Sequence, residues 1–162
     1  MLDFLWTTGF EMGIPTEKKN NIYRLSENDY GGHTSSILLA EDDEEMRGLL
    51  ALMLRKKGYR VFECNDGVSL LDMLSPYFLQ DEEHENFDLI ISDIRMPGVT
   101  GMEILSGANE LDDFPPIILI TAFGDKEIHM QADRLGAVAL FDKPFDIDEM
   151  MKKVAEILPA PA

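Results

Sequence analysis

The chain has 162 residues, enough for a single domain with its own core, and it contains no apolar run of the roughly 18–20 residues a membrane span needs. Apolar residues make up 45% of it, as in ordinary globular proteins, and the single cysteine, Cys64, excludes an internal disulfide and suits a reducing cytoplasm. The formal charge is −17, with five acids and three bases in residues 1–36 against 26 acids and 11 bases in residues 37–162; such a surface repels nucleic-acid phosphates, and no Lys/Arg stripe offsets it.

Residues 1–36 show no sustained period of 3.6 or 2 and end in the loop-like stretch 28–36. They are expected to form a flexible N-terminal extension, with a short docking segment around Phe4, Leu5, Trp6 and Phe10 as the alternative. The first 14 residues lack a basic n-region and are interrupted by Asp3, Gly9 and Glu11, which argues against a secretory signal.

From Ile37 the texture changes. Ile37, Leu38, Leu39 and Ala40 form an apolar run that closes on Glu41, Asp42 and Asp43. Met46, Leu49, Leu50, Met53 and Leu54 then recur at helical spacing, with Asp43 placed to cap the helix and Lys56, Lys57 and Gly58 to end it. Residues 59–63 predict a strand, and Asn65, Asp66 and Gly67 a turn into a helix carrying Val68, Leu70, Leu71 and Leu74. Residues 76–87, rich in acids, are expected to be a solvated, tolerated insertion. Residues 88–93 predict a buried strand ending in Asp93, and residues 101–109 a short helix with Met102, Ile104 and Leu105. Pro115 and Pro116 lead into a strand over 117–121 that ends in Thr121. Residues 125–135 predict a helix with Ile128, Ala132 and Leu135 inward and Gly136 as its stop. Residues 138–142 predict the last strand, and Asp146 to Glu149 resembles a capping box opening a helix with Ile147, Met150, Met151, Val154 and Leu158 on one side.

Five strands thus alternate with five helices. Strands that are continuously apolar are buried on both faces, which points to a parallel, doubly wound sheet with helices on each side, a three-layer α/β sandwich. Ligands in such sheets sit outside the carboxyl ends of the strands. The acids Glu41, Asp42 and Asp93, the hydroxyl of Thr121 and the amine of Lys143 are all placed at that edge. Carboxylates gathered in one crevice repel one another and call for a cation, and oxygen ligands favour magnesium, with manganese as a substitute. A hydroxyl and an ammonium facing the same point suit a phosphoryl group. Singly these residues are ordinary: a strand-end Asp is often a cap, and a Lys before Pro a surface residue. Their coincidence at one edge carries the functional expectation.

The blocks Ile37 to Glu44, Asp93 to Gly101, Ile118 to Ala122 and Asp142 to Phe145 resemble the signature blocks of response-regulator receiver domains, in order and in spacing. The resemblance covers about residues 37–158 and places the domain at 37–159, with 160–162 as a tail. It implies the flavodoxin-like strand order 2-1-3-4-5. It further implies Asp93 as phosphoacceptor and a metal held by Glu41, Asp42, Asp93 and the backbone carbonyl of Arg95. Thr121, Ala122 and Lys143 would be the phosphoryl-binding and switch residues. The switch-aromatic position is filled by Leu140, while Phe141 is out of register by one and should point to the opposite face.

A phosphohistidine on a sensor histidine kinase or a histidine phosphotransfer protein is the implied donor, and a downstream protein is the implied target, with homodimerisation open. No output domain follows the last helix, so the expectation is a stand-alone cytoplasmic receiver, a signalling domain and not an enzyme, that binds neither nucleic acid nor membrane directly. Three other readings compete. A haloacid-dehalogenase-type phosphatase would want a second acid two residues after Asp93, where Arg95 stands. A flavodoxin-type binding module would want a phosphate-cradling loop where Glu41 to Glu45 stand, and a phosphorylation-independent module would lack the acids and Lys143. His33, His84 and His129 lack metal-ligand spacing and are expected at the surface, and the ten methionines as core filler.

Overall fold

In the computed structural model, which describes residues 33–158, strands and helices alternate along the chain. They are β1 (Ser36–Ala40), α1 (Glu44–Lys56), β2 (Arg60–Cys64), α2 (Gly67–Leu79), β3 (Leu89–Asp93), α3 (Gly101–Ala108), β4 (Ile117–Thr121), α4 (Lys126–Arg134), β5 (Ala139–Asp142) and α5 (Ile147–Ile157). The strands form one parallel sheet in the order β2-β1-β3-β4-β5, as the resemblance implied. Residues 1–32, including Phe4, Leu5, Trp6 and Phe10, and the tail from residue 159 lie outside the described residues. Ser36 belongs to β1, where it is in register with Arg60.

All residues of β1, β3 and β4 are buried, and neighbouring side chains go to opposite faces because the strand repeat is two residues. Leu38, Ala40, Ile90 and Leu119 pack with α2, α3 and α4 through Leu70, Leu74, Leu105 and Ala132. Ile37, Leu39, Ile91, Ile118 and Ile120 pack with α1 and α5 through Leu50, Leu54, Met150 and Val154. Fully burying each such branched side chain contributes roughly 1.5–3 kcal/mol, so both faces of the central strands hold the sheet between its helix layers.

Helix starts and stops follow local chemistry. Asp43 caps α1 by accepting the Met46 N–H at 2.7 Å, and Asp66 does the same for α2 with Ser69 at 2.7 Å. Asp125 and Asp146 cap α4 and α5 by accepting from Ile128 and Asp148. The expected capping box at α5 is therefore a simple cap, and the reciprocal box belongs to α3. There the Thr100 hydroxyl accepts the Glu103 N–H at 3.1 Å and the Glu103 carboxylate accepts the Thr100 N–H at 2.7 Å. Gly58 ends α1 at φ +94°, a left-handed conformation that a Cβ would strain.

The segment 76–87 differs from expectation. α2 runs through Pro76 to Leu79, so the loop is shorter than the sequence implied. A proline in a helix leaves the carbonyl four residues earlier without its N–H partner. Here that carbonyl, on Asp72, accepts the Ser75 hydroxyl at 2.9 Å instead. Within the helices, Leu49, Val68 and Leu71 are solvent-exposed, while Ala51 is fully buried. Cys64 is buried at the end of β2, and burial, followed by the charge of Asp66, pushes its thiol up to about 11.

Gly67 opens α2 where the loop after β3 crosses it. Its N–H donates to the Pro97 carbonyl at 2.8 Å, and a Cβ would sit 1.8 Å from the Val99 carbonyl oxygen. Because the obstacle is backbone, Gly67→Ala is expected to cost about 1–3 kcal/mol, the usual scale of overpacking. Urea melts of the two proteins test this; midpoints that coincide would show that the loop yields freely.

Candidate functional site

The parallel register aligns the strand ends, with Ala40 beside Ser92, Asp93 beside Ile120 and Thr121 beside Asp142. Glu41 and Asp42 therefore leave β1 at the edge where β3 delivers Asp93, β4 delivers Thr121 and β5 passes into Lys143. β1 and β3 are also the strands between which the chain reverses its winding, where crevices open in such sheets.

Glu41 is fully buried and Asp93 only 4% exposed, whereas Asp42 is exposed. One carboxylate oxygen from each of the three lies within 4.8 Å of the others. The Lys143 Nζ sits 2.5 Å from Asp93 Oδ2 and 2.8 Å from Glu41 Oε2. Asp93 Oδ1 accepts the Arg95 N–H at 2.7 Å, and Glu41 Oε1 accepts the Asp43 N–H at 3.1 Å. The contact of Lys143 with Glu41 Oε2 is close in distance but not aligned as a hydrogen bond, so this buried oxygen lacks a donor among the described residues. Buried polar oxygens are ordinarily satisfied. An unsatisfied carboxylate oxygen beside two more carboxylates fits a hard divalent cation.

Thr121 is 1% exposed; its hydroxyl oxygen accepts the Phe123 N–H at 3.1 Å and its carbonyl accepts the Lys143 N–H at 2.7 Å. Ala122 follows at the exposed start of the next loop. The Arg95 side chain leaves the crevice and lies over the Phe123 ring, 4.7 Å from its centroid, joining the loops after β3 and β4. It offers no carboxylate to an Asp-x-Asp arrangement. Leu140 packs into the core shared with α2–α4, while Phe141 lies on the other face, 5.8 Å from the Phe145 ring.

Burial raises the Glu41 carboxyl above its ordinary 4.5, assisted by the Asp93 charge and opposed by Lys143 and the Asp43 N–H. Burial pulls Lys143 the other way, but its hydrogen bond to Asp93 and its close pairing with the Asp93 and Glu41 carboxylates outweigh it and leave the ammonium above 10.5. The signs differ in consequence. An acid with a raised folded-state value contributes stability at low pH that is lost as pH rises through that value. Lys143 contributes stability that is full below 10.5 and is lost only as pH rises through its raised value. Stability measured in EDTA is accordingly expected to fall as pH climbs from 4.5 toward neutrality, and Glu41→Gln to flatten that fall. Parallel stability–pH profiles for the two proteins would refute this.

Sequence reasoning missed three features. Arg47 reaches back from α1 to the Glu41 carbonyl at 2.9 Å, a contact set by tertiary placement and without a sequence signature. His129, partly exposed, pairs with Asp142 at 2.7 Å, tying α4 to the end of β5. The Thr100-x-x-Glu103 spacing is a capping-box signature and was legible.

A doubly wound parallel sheet with acids, a hydroxyl and an ammonium gathered at its switch-point crevice defines the class. Residues 37–155 match the response regulator receiver domain, and the chain belongs to that family, a signalling domain of two-component systems. It is 34% identical over 123 residues to sporulation initiation phosphotransferase F of Bacillus subtilis, covering 76% of this chain and 93% of that protein. It is 32% identical over 122 residues to the response regulator receiver protein CpdR of Brucella abortus, covering 75% and 95%. Response regulator protein TrrA of Thermotoga maritima, whose structure was solved in complex with Mg2+ and BeF, matches with a TM-score of 0.62 at 29% identity, over 77% of this chain and 100% of that one. No helix among the described residues is long and apolar enough to cross a membrane.

Proposed function

We propose that Asp93 accepts a phosphoryl group from a phosphohistidine on a sensor histidine kinase or a histidine phosphotransfer protein, and that the phosphorylated chain changes its contacts with a downstream protein. The observation that carries this is the placement of a nearly buried Asp93 carboxylate between the Lys143 ammonium and the Arg95 N–H, with Glu41 and Asp42 within 4.8 Å of it. Glu41, Asp42, Asp93 and the backbone carbonyl of Arg95 would hold Mg2+, or Mn2+ in its place. When bound, the metal neutralises charge on the phosphoryl oxygens.

The residues then divide the work. An Asp93 oxygen attacks phosphorus in line as the P–N bond breaks and its electron pair returns to the donor imidazole. Lys143, already paired with Asp93, neutralises the charge that accumulates on the transferred group. The Thr121 hydroxyl accepts from the Phe123 N–H and so keeps its own proton to donate to a phosphoryl oxygen. The product adds about −1 to −2 charge at the strand ends. Thr121 and Lys143, drawn toward it, pull on the loops at Ala122 and Phe145, which changes the surface offered to a partner. Leu140 gives this switch an aliphatic side chain at the position where the family pattern has an aromatic one.

Incubation with acetyl phosphate, with and without Mg2+, followed by intact mass, tests the proposal. A single Mg2+-dependent phosphate increment is expected. A folded protein that gains none in either condition, or that turns over added phosphoesters continuously, would overturn it.

A further inference from the structure

We propose that Arg47, held by Glu63, is a positioning residue for the metal-binding acids, so that β2 tunes the site without placing a side chain in it. This rests on the metal site proposed above.

Glu41 and Asp42 lie just beyond β1 and have no strand ladder of their own to fix them. Asp42 is also exposed, so packing does not orient it. The backbone at this point is gripped from two directions. The Glu41 N–H donates to the Cys64 carbonyl at 3.1 Å, and the Glu41 carbonyl accepts from Arg47 Nη1 at 2.9 Å. Arg47 is itself anchored, with Nε 3.4 Å from Glu63 Oε2 and a side chain only 16% exposed. The other Glu63 oxygen lies 2.9 Å from Arg55 Nη1, and Arg55 Nη2 donates to the Val61 carbonyl at 2.9 Å. Both grips on Glu41 therefore end on adjacent residues of β2, Glu63 and Cys64.

Two effects of Arg47 oppose each other. Its charge repels a cation, while its hydrogen bond fixes the acid pair. Glu63, which it shares with Arg55, offsets part of that charge, and Arg47 meets the acids only through the Glu41 carbonyl, which makes positioning the stronger effect. Outer-shell partners of this kind typically change metal affinity about 10–100-fold, and the low end applies here because Arg47 holds backbone and not a ligand oxygen.

The test is Mn2+ binding by the full chain, read from the loss of the free-ion EPR signal, on the wild type, Arg47→Met, Arg47→Lys, Glu63→Gln and the double variant Arg47→Met/Glu63→Gln. Arg47→Met is expected to bind about 10-fold more weakly. Arg47→Lys, which keeps the charge and the stem but loses the fork, should fall between and serves if the methionine variant does not fold. Glu63→Gln should weaken binding several-fold by itself and add little once Arg47 is gone. A merely structural role is controlled by Val154→Ala, a core truncation in α5 that should lower stability and leave Mn2+ affinity unchanged. Wild-type affinity in Arg47→Lys and Glu63→Gln, or effects of the two sites that simply add, would overturn the proposal. A wild type that binds no Mn2+ would instead remove the metal site itself.

Discussion

Asp93→Asn is expected to gain no phosphate from acetyl phosphate in Mg2+, while remaining folded. The amide is nearly isosteric and its carbonyl oxygen can still accept the Arg95 N–H, which bonds Asp93 Oδ1 at 2.7 Å in the wild type. What it loses is the nucleophile, since a neutral amide oxygen does not form the acyl phosphate. It also removes one of three carboxylates whose oxygens lie within 4.8 Å of one another, and like charges that close destabilise each other. Glu41 keeps Lys143 as its partner. Intact mass and a urea midpoint in EDTA should thus show an unphosphorylated protein about as stable as the wild type. A phosphate increment that survives the substitution would move the acceptor elsewhere, and the assignment of Asp93 would be wrong.

The second large effect is expected at Lys143. In Lys143→Met, Glu41 and Asp93 lose the ammonium between them and become neighbouring buried carboxylates without compensation. Removing one partner of a buried ion pair costs about 3–5 kcal/mol. The Lys143 side chain is 20% exposed, so solvent screening puts the loss at or below the low end, about 3 kcal/mol. Part of that will be avoided by Glu41 taking up a proton, since its carboxyl is already raised by burial. A divalent cation should replace the missing positive charge, so Mg2+ is expected to raise the melting temperature of Lys143→Met more than that of the wild type. Phosphorylation should still be lost or slowed by orders of magnitude, because the charge on the transferring group loses its ammonium. Equal Mg2+ responses in the two proteins would show that Lys143 and the cation do not answer the same cluster of acids.

β1, β3 and β4 and their terminal residues were legible because each is a short apolar run that stops at a polar group, and parallel register then gathers those groups without further information. Glu41, Asp42, Asp93 and Thr121 could be placed at one edge on this basis, and Lys143 with them as the residue that follows β5. The helices were legible in position and less so in orientation. Leu49, Val68 and Leu71 fit an apolar stripe by spacing, yet they are exposed, while Ala51 faces inward at 0% exposure. Periodicity gives the width of such a stripe but not which part of it meets the sheet, and alanine carries too little hydrophobic signal to reveal the centre. The segment 76–87 reads whole in the sequence as a solvated insertion on its acids, which lie from Asp81 onward, whereas α2 runs through Pro76 to Leu79 because the Ser75 hydroxyl takes over the carbonyl that the proline orphans. Arg47 was hidden because its two partners, Glu41 and Glu63, are brought together only by the pairing of β1 with β2.

The chain's only cysteine has a practical consequence. With its thiol held near 11 by burial, Cys64 contributes little thiolate near neutral pH, so the natural protein is close to a blank background for thiol chemistry. A reporter cysteine introduced at the exposed Phe123 or Met130 could then carry a fluorophore or spin label with the native residue left in place. Motion of the loop after β4 could be followed in real time as phosphodonor is added.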